Sequence, residues 1–226
     1  MRQTTQTTNP QAGFSLMELM VAMCVMVFIT GAATSLLVGA FSVRTREDER
    51  SEAIGDVRRA LNILSRELAN SGYQLPPGLT YNSATGANRV PANGLIPGDC
   101  DDTSITFVAN LNASVGTGDG DVSDMDEALT YQFTQEGNVG FLVRRDLNGG
   151  AASQTLANNI DGVQFDYLTI DGTDTAADVS QAARVRITVW ADLNPVGQPG
   201  TTSYQPPSQV RLASEVDLRN VTLGTF

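Results

Sequence analysis

The chain has 226 residues and a formal net charge of −11, from 25 acidic and 14 basic residues, and it contains no His. Every basic residue is Arg. The sequence therefore offers no His base or His metal ligand, no Schiff-base Lys and no phosphate-binding Lys of a P-loop. The acidic balance also argues against a surface that binds the phosphates of a nucleic acid.

The chain begins with a polar leader, residues 1–13, which is followed by an apolar stretch, residues 14–41. This apolar segment contains one charged residue, Glu18, and is about long enough to cross a bilayer as a helix. A carboxylate in such a span costs roughly 2.5–3.5 kcal/mol at its centre and less near an end, so Glu18 is a candidate functional residue. A secretory signal peptide differs in order, because its apolar stretch lies before the cleavage site.

The order of Gly13, Phe14 and Glu18 resembles the class III signal of type IV prepilins and of type II secretion pseudopilins. That resemblance implies cleavage after Gly13 by a prepilin peptidase and methylation of the new amine of Phe14. It also implies that Glu18 pairs with the Phe14 amine of a neighbouring subunit in a filament. The alternative is an ordinary signal-anchor helix with one acid near its cytoplasmic end.

The helical pattern continues through residues 42–73, which we name the amphipathic segment. Apolar residues recur there at helical spacing, on one face: Ile54, Val57, Leu61, Leu64 and Leu68. The pattern predicts one helix from about Phe14 to Ser71, with Gly72 as the C′ residue and charged residues such as Glu67 mostly on the solvated side. The stripe is consistent with a coiled coil or with packing on a sheet. Fewer than three heptads are sustained, which favours the sheet.

Residues 74–226 form a β-rich domain in this interpretation, because Gly, Asn, Asp, Thr and Pro punctuate short runs of β-forming residues. The residues Gln135–Asn138 predict a hairpin between Phe133 and Phe141. The predicted strands are Ser104–Asn110, Ala128–Thr134, Gly140–Arg145, Gly162–Ile170, Ala183–Ala191 and Val210–Leu218. Strands without intervening helices favour antiparallel pairing. The fold class is therefore predicted as α+β, with a long N-terminal helix, membrane-spanning in its first half, packed on an antiparallel sheet.

Later segments resemble minor pilins of the PilW class, notably residues 64–73 at the end of the helix and residues 215–220 near the C-terminus. The second of these also resembles the J-type pseudopilins, so a type II secretion pseudopilus remains an alternative, as does a tip adhesin. The resemblance implies an inner-membrane anchor, a periplasmic domain and assembly with other pilins into a pilus. Arg residues after the span, counted alone, predict the opposite orientation.

An acidic stretch, residues 119–127, is a candidate calcium site, because oxygen ligands at alternating positions suit Ca²⁺. Its candidate ligands are Asp119, Asp121, Asp124 and Asp126. Counted from Asp119 as an EF-hand loop, position 6 is Asp124 rather than Gly and position 12 is Thr130 rather than Glu. The alternative is a solvated loop. We expect no other cofactor.

The two cysteines are expected to remain apart, since Cys24 lies in the apolar segment. Cys100 is expected to be free and partly buried, and its acidic neighbours Asp99, Asp101 and Asp102 disfavour a reactive thiolate. Trp190, in a β-rich run, is expected in the core or at an interface. The sequence contains no nucleophile elbow, paired His or Gly-rich phosphate loop, so we expect no enzyme.

Overall fold

The computed structural model describes residues 13–83, 86–111, 121–137, 139–149, 153–173, 178–201 and 204–222. Its first element is one long helix, α1, Leu16–Leu68. The strands follow in chain order: β1 Thr80–Ser83, β2 Gly86–Arg89, β3 Ser104–Val108, β4 Ala128–Glu136, β5 Val139–Asp146, β6 Ser153–Ile160, β7 Gly162–Leu168, β8 Arg184–Leu193 and β9 Ser208–Asp217. A 3-10 turn, Val179–Gln181, precedes β8, and a short helix α2, Arg219–Thr222, follows β9.

The strands form three antiparallel sheets rather than the single sheet expected from the sequence: β1-β2, β3-β4-β5-β6 and β7-β8-β9. The four- and three-stranded sheets separate between Ile160 and Gly162, where β6 ends and β7 begins after one residue, Asp161. The carboxylate of Asp161 accepts a hydrogen bond from the Asp192 amide at 2.6 Å, and its own amide donates to the Trp190 carbonyl at 2.9 Å. These bonds hold the chain at the point where it changes sheet.

The predicted α+β class is confirmed: the amphipathic segment of α1 packs on both larger sheets, against β6, β8 and β9. The predicted stripe supplies most of the contact, because Val57, Leu61, Leu64 and Leu68 are buried and Ile54 is half-buried. Burying one Leu side chain contributes about 1.5–3 kcal/mol. The stripe therefore packs on the sheets of its own domain, as predicted, and does not form a coiled coil there.

The helix ends at Leu68, not at Ser71, and Gly72 is not its C′ residue. The amides of Asn70 and Ser71 bond to carbonyls three residues back, which tightens the chain into turns. Ser71 Oγ then donates to the Asn93 carbonyl at 2.6 Å, and the Gly72 amide donates to Val108 at 2.9 Å. Hydrogen bonds to the β-rich domain therefore replace helical hydrogen bonds after Leu68, three residues before the end predicted from the sequence.

Gly72 and Gly94 are required where this turn meets β3. Their φ angles are +77° and +75°, in the left-handed region that favours Gly. A Cβ on Gly94 would lie 2.5 Å from the Val108 carbonyl oxygen and 2.7 Å from Ser71 Oγ. The two glycines thus allow three backbone segments to meet, and they fix the end of α1 on the four-stranded sheet.

The other strand predictions are confirmed in place, with ends that differ by a few residues. The hairpin between β4 and β5 is present, with Gly137 at a φ of +63°. Three strands were missed: β1, β2 and β6. The polar sequence of β6 buries only Leu156, Ala157 and Ile160, and its pairing with β5 shifts register twice, so alternation is lost.

Candidate functional site

The apolar segment of α1 is the part of the molecule that its own fold leaves uncovered. Its large apolar side chains are exposed, from Phe14 at 85% to Phe41 at 58%. The apolar window of the helix has a mean hydropathy of 2.3 and is long enough to cross a membrane, by length and composition. Such a surface is far larger than the apolar patches of soluble monomers, so it needs lipid or another protein to cover it.

The residues singled out at the start of this segment lie at the helix N-terminus. Gly13 and Phe14 precede the helix, and Ser15 is its N-cap, with extended φ and ψ angles. Glu18 lies in the first turn, where the positive end of the helix dipole favours a carboxylate. The spacing of Ser15 and Glu18 also matches a capping box, a signal that our sequence analysis missed, but Ser15 makes no side-chain cap bond.

Among the residues that the structure describes, Glu18 has no ion-pair partner. It is exposed, as is Phe14. The arrangement therefore presents a carboxylate and an aromatic residue together at the tip of an apolar rod. This geometry leaves the Glu18 carboxylate available to a group outside the subunit. The leader, residues 1–12, lies outside the described residues.

The acidic stretch proposed as a calcium loop is only partly described, and Asp119 lies outside the described residues. Asp121 accepts hydrogen bonds from its neighbour Ser123, whose amide and hydroxyl lower the pKa of that carboxyl. The carboxylate of Asp126 pairs with Arg144 at 2.5 Å, and the amide of Asp124 donates to the buried Glu127. Among the described residues no three acidic, Cys or His side chains are placed to hold a metal. Calcium binding remains a prediction.

A polar cluster that the sequence analysis did not identify joins the end of α1 to the four-stranded sheet. Glu67 of α1 accepts hydrogen bonds from Tyr131 of β4 and from Arg144 Nε of β5, the latter at 2.9 Å. Burial, and then the hydrogen bond to Glu67, raise the pKa of Tyr131 well above its usual range. Burial lowers the pKa of Arg144, but the bonds to Asp126 and Glu67 outweigh it, so the guanidinium stays charged.

Glu67 had been expected on the solvated side of the helix, and the cluster corrects that expectation. Its side chain is only 21% exposed, and that of Arg144 is 14% exposed. Ion pairs shielded to this degree are costly to break one partner at a time. The cluster is therefore a structural tie, and the sequence could have suggested it only through two consecutive Arg residues, Arg144 and Arg145, directly after the apolar run of one strand.

Cys100 lies where the sequence analysis expected it, whereas Trp190 does not lie in the core, and its place at an interface remains a prediction. Cys100 is a free, half-buried thiol that exchanges hydrogen bonds with the backbone of Thr106 at 3.3 and 3.4 Å. Burial is the main cause that raises the pKa of its thiol to about 11, and Asp99 adds to it. Trp190 is half-buried on the outer face of the three-stranded sheet, with the Arg211 guanidinium 5.7 Å from the ring centroid.

Comparisons with known proteins find similarity among solved structures. No protein-family model matches the chain, and no curated protein matches its sequence. The chain is similar in structure to a type IV-like pilin from Thermus thermophilus, with 13% sequence identity and a TM-score of 0.40. The similarity covers 74% of this chain and 97% of that one. What the chain does therefore has to follow from its own residues.

Proposed function

We propose that the chain is a minor pilin of the PilW class, a structural subunit without catalytic activity that primes or enters a type IV pilus. The observation that carries the proposal is the division of α1. Its amphipathic segment is covered by the sheets, while its apolar segment is bare, follows Gly13 directly and carries Phe14 and Glu18 at its start. An anchor in the membrane needs only the apolar surface, whereas a filament subunit also uses the charged tip.

The mechanism follows from the chemistry of that tip. Before assembly the apolar segment lies in the inner membrane, with the β-rich domain in the periplasm. Cleavage after Gly13 makes Phe14 the N-terminus, and its amine becomes the partner of Glu18 on an adjacent subunit. Transfer of the helix from lipid to the filament core exchanges one apolar environment for another. An unpaired carboxylate in that core would cost several kcal/mol, so the pair fixes the register between subunits.

Processing is tested by mass spectrometry of the protein purified from its native host. The expected N-terminus is Phe14 carrying one extra methyl group. Replacing Gly13 with a bulkier residue should block cleavage, because the peptidase site is expected to admit only a small residue there. Purified protein that retains Met1 in cells with active prepilin peptidase would contradict the proposal.

Assembly is tested by Glu18→Gln, which removes the charge and keeps the shape. We expect normal membrane insertion and cleavage, but loss of the variant from sheared filaments, measured by immunoblot of membrane and filament fractions. Glu52→Gln is the matched control, because Glu52 is an exposed acid of the same helix outside the apolar segment. Equal recovery of both variants in filaments would show that Glu18 is dispensable.

Recovery of the unchanged protein in filaments, together with the genes beside its own, separates the pilus from the secretion pseudopilus. A PilW-class subunit should be recovered in pili, and its gene should neighbour those of other minor pilins. Recovery in a pseudopilus, with a gene in a secretion operon, would support the J-type alternative instead.

A further inference from the structure

The connection between β8 and β9, residues 194–207, contains no charged residue. We name its described parts, residues 194–201 and 204–207, the β8–β9 loop. Its described parts are ordered by local bonds: Val196 pairs with Gln205, and the Thr201 amide and hydroxyl donate to the Gln198 carbonyl at 3.2 and 2.8 Å. A loop without charged residues is suited to a region where charges are costly.

One side chain of α1 holds both ends of this loop. Arg46 donates from one nitrogen to the Asn194 carbonyl, and from the other to the Pro206 carbonyl and to Ser208 Oγ, both at 2.9 Å. It is 6% exposed, although it follows the apolar segment closely. The planar guanidinium presents donors in a fixed fork, so it can bind two chain segments at once. The base of the loop is thereby fixed at one level of the helix.

Beyond this tie, the loop extends beside the apolar segment. Thr201 lines a groove of about 750 Å³ together with residues of α1: Met26, Val27, Thr30, Gly31, Thr34, Ser35 and Val38. Val38 lies about 12 Å from Arg46 along the helix axis, at 1.5 Å per residue. The loop therefore passes the end of the apolar segment and lies next to residues that a bilayer would surround.

The length of the apolar segment explains why a loop can lie there. Residues 14–41 extend about 42 Å as a helix, whereas the hydrocarbon core of a bilayer is about 30 Å thick. With Phe14 at the cytoplasmic boundary, the surplus of about 12 Å lies at the end next to Arg46, in the headgroup layer. Tyr204, half-buried in the loop, belongs to a residue type that favours this layer.

We propose that the β8–β9 loop rests in the headgroup layer of the bilayer and covers the surplus of the apolar segment. Its partner is the phospholipid surface. The inference rests on the membrane-anchored state of the proposed function, but it concerns a different part of the chain.

The test uses the full chain in phosphatidylcholine vesicles, with Cys24→Ala and Cys100→Ala removing the native thiols. A fluorescent probe is attached at Thr201→Cys in the loop, at Val38→Cys in the helix, or at Gln181→Cys. Gln181 is exposed and belongs to the 3-10 turn that Asn93 ties to the far end of α1. Lipids that carry quenchers in the headgroup or the acyl chain report the depth of each probe.

We expect headgroup quenchers to reduce the Thr201 signal several-fold more than the Gln181 signal, and to about the extent seen at Val38. Arg46→Gln should abolish the quenching at Thr201 and leave that at Val38. Arg44→Gln is the matched control, since Arg44 is exposed and pairs only with Asp48 at 3.8 Å among the described ion pairs. Trp190 emission confirms that each variant is folded.

Three results would overturn the inference. If Val38 is quenched and Thr201 behaves like Gln181, the loop does not touch the bilayer, while the anchor of the proposed function stands. If neither Val38 nor Thr201 is quenched, the membrane anchor fails as well. If Thr201 becomes shielded only after filaments assemble, its partner is a neighbouring subunit rather than lipid.

Discussion

At the scale of single residues, burial decides what Cys100 can do. Its thiol lies in the domain with its hydrogen bonds satisfied by Thr106, and the raised pKa of about 11 keeps it neutral at physiological pH. Because the neutral form is favoured by folding, this thiol does not change the stability of the domain below the pKa of an unfolded cysteine, about 8.5. Stability should fall as the pH rises from there through about 11.

The resulting prediction concerns alkylation at pH 8 of the full chain in detergent, with Cys24→Ala removing the other thiol. Folded Cys100 should react at least about a hundredfold more slowly than in guanidinium, because its thiolate fraction is lower and its sulfur is half-buried. Mass spectrometry measures both rates. A variant with Cys100→Ser and Gln181→Cys serves as the exposed control, and equal rates for Cys100 in the folded and unfolded chain would contradict the prediction.

At the scale of elements, α1 combines two environments in one continuous helix. Leu64 is fully buried against the sheets, whereas Leu36 is 77% exposed. The same side chain therefore contributes to the folding of the domain at one position and not at the other. This difference predicts that only one of two identical substitutions will destabilise the domain.

Leu64→Ala should lower the free energy of unfolding by about 2–5 kcal/mol, since it leaves a cavity between helix and sheets. Leu36→Ala, its control, should change it by less than about 0.5 kcal/mol. Guanidinium titrations in detergent, followed by the emission of the single Trp190, measure both values. A large effect of Leu36→Ala would mean that the apolar segment packs against the domain.

The elements also show what the sequence could reveal. The alternation of polar and apolar residues predicted β8 with nearly correct ends. The helical spacing of apolar residues did the same for α1. β6 escaped prediction because its register shifts against β5 cancel the alternation. The ties made by Arg46 and by Glu67 with Arg144 escaped because each joins residues far apart in the chain, where local patterns carry no information.

At the scale of the whole molecule, the domain should not need the apolar segment in order to fold. Among the described residues before Val43, none is fully buried, and the core begins with the amphipathic segment. The proposed signal for membrane anchoring and filament assembly comes from the sequence alone, because it depends on a contiguous motif and on an apolar stretch with one charged residue. The shape of the domain required long-range pairing that the sequence does not display.

A fragment that starts at Val43 should accordingly be soluble and folded without detergent. It retains Arg46 and the complete stripe, so its guanidinium midpoint, followed by Trp190 emission, should match that of the full chain in detergent. Light scattering should show a monomer. Aggregation of the fragment, or a midpoint far below that of the full chain, would show that the apolar segment supports the domain.

The two polar ties of α1 have a mechanical consequence. Arg46 and Glu67 lie about 32 Å apart along the helix axis, Arg46 before the buried stripe and Glu67 near its last residue. A pull along the axis, applied at the apolar tip, loads both ties and the stripe in shear and at the same time. Sliding the helix would have to break them together, whereas peeling would break them one after another. The long helix is thus attached to its domain in a geometry that resists tension along the helix axis.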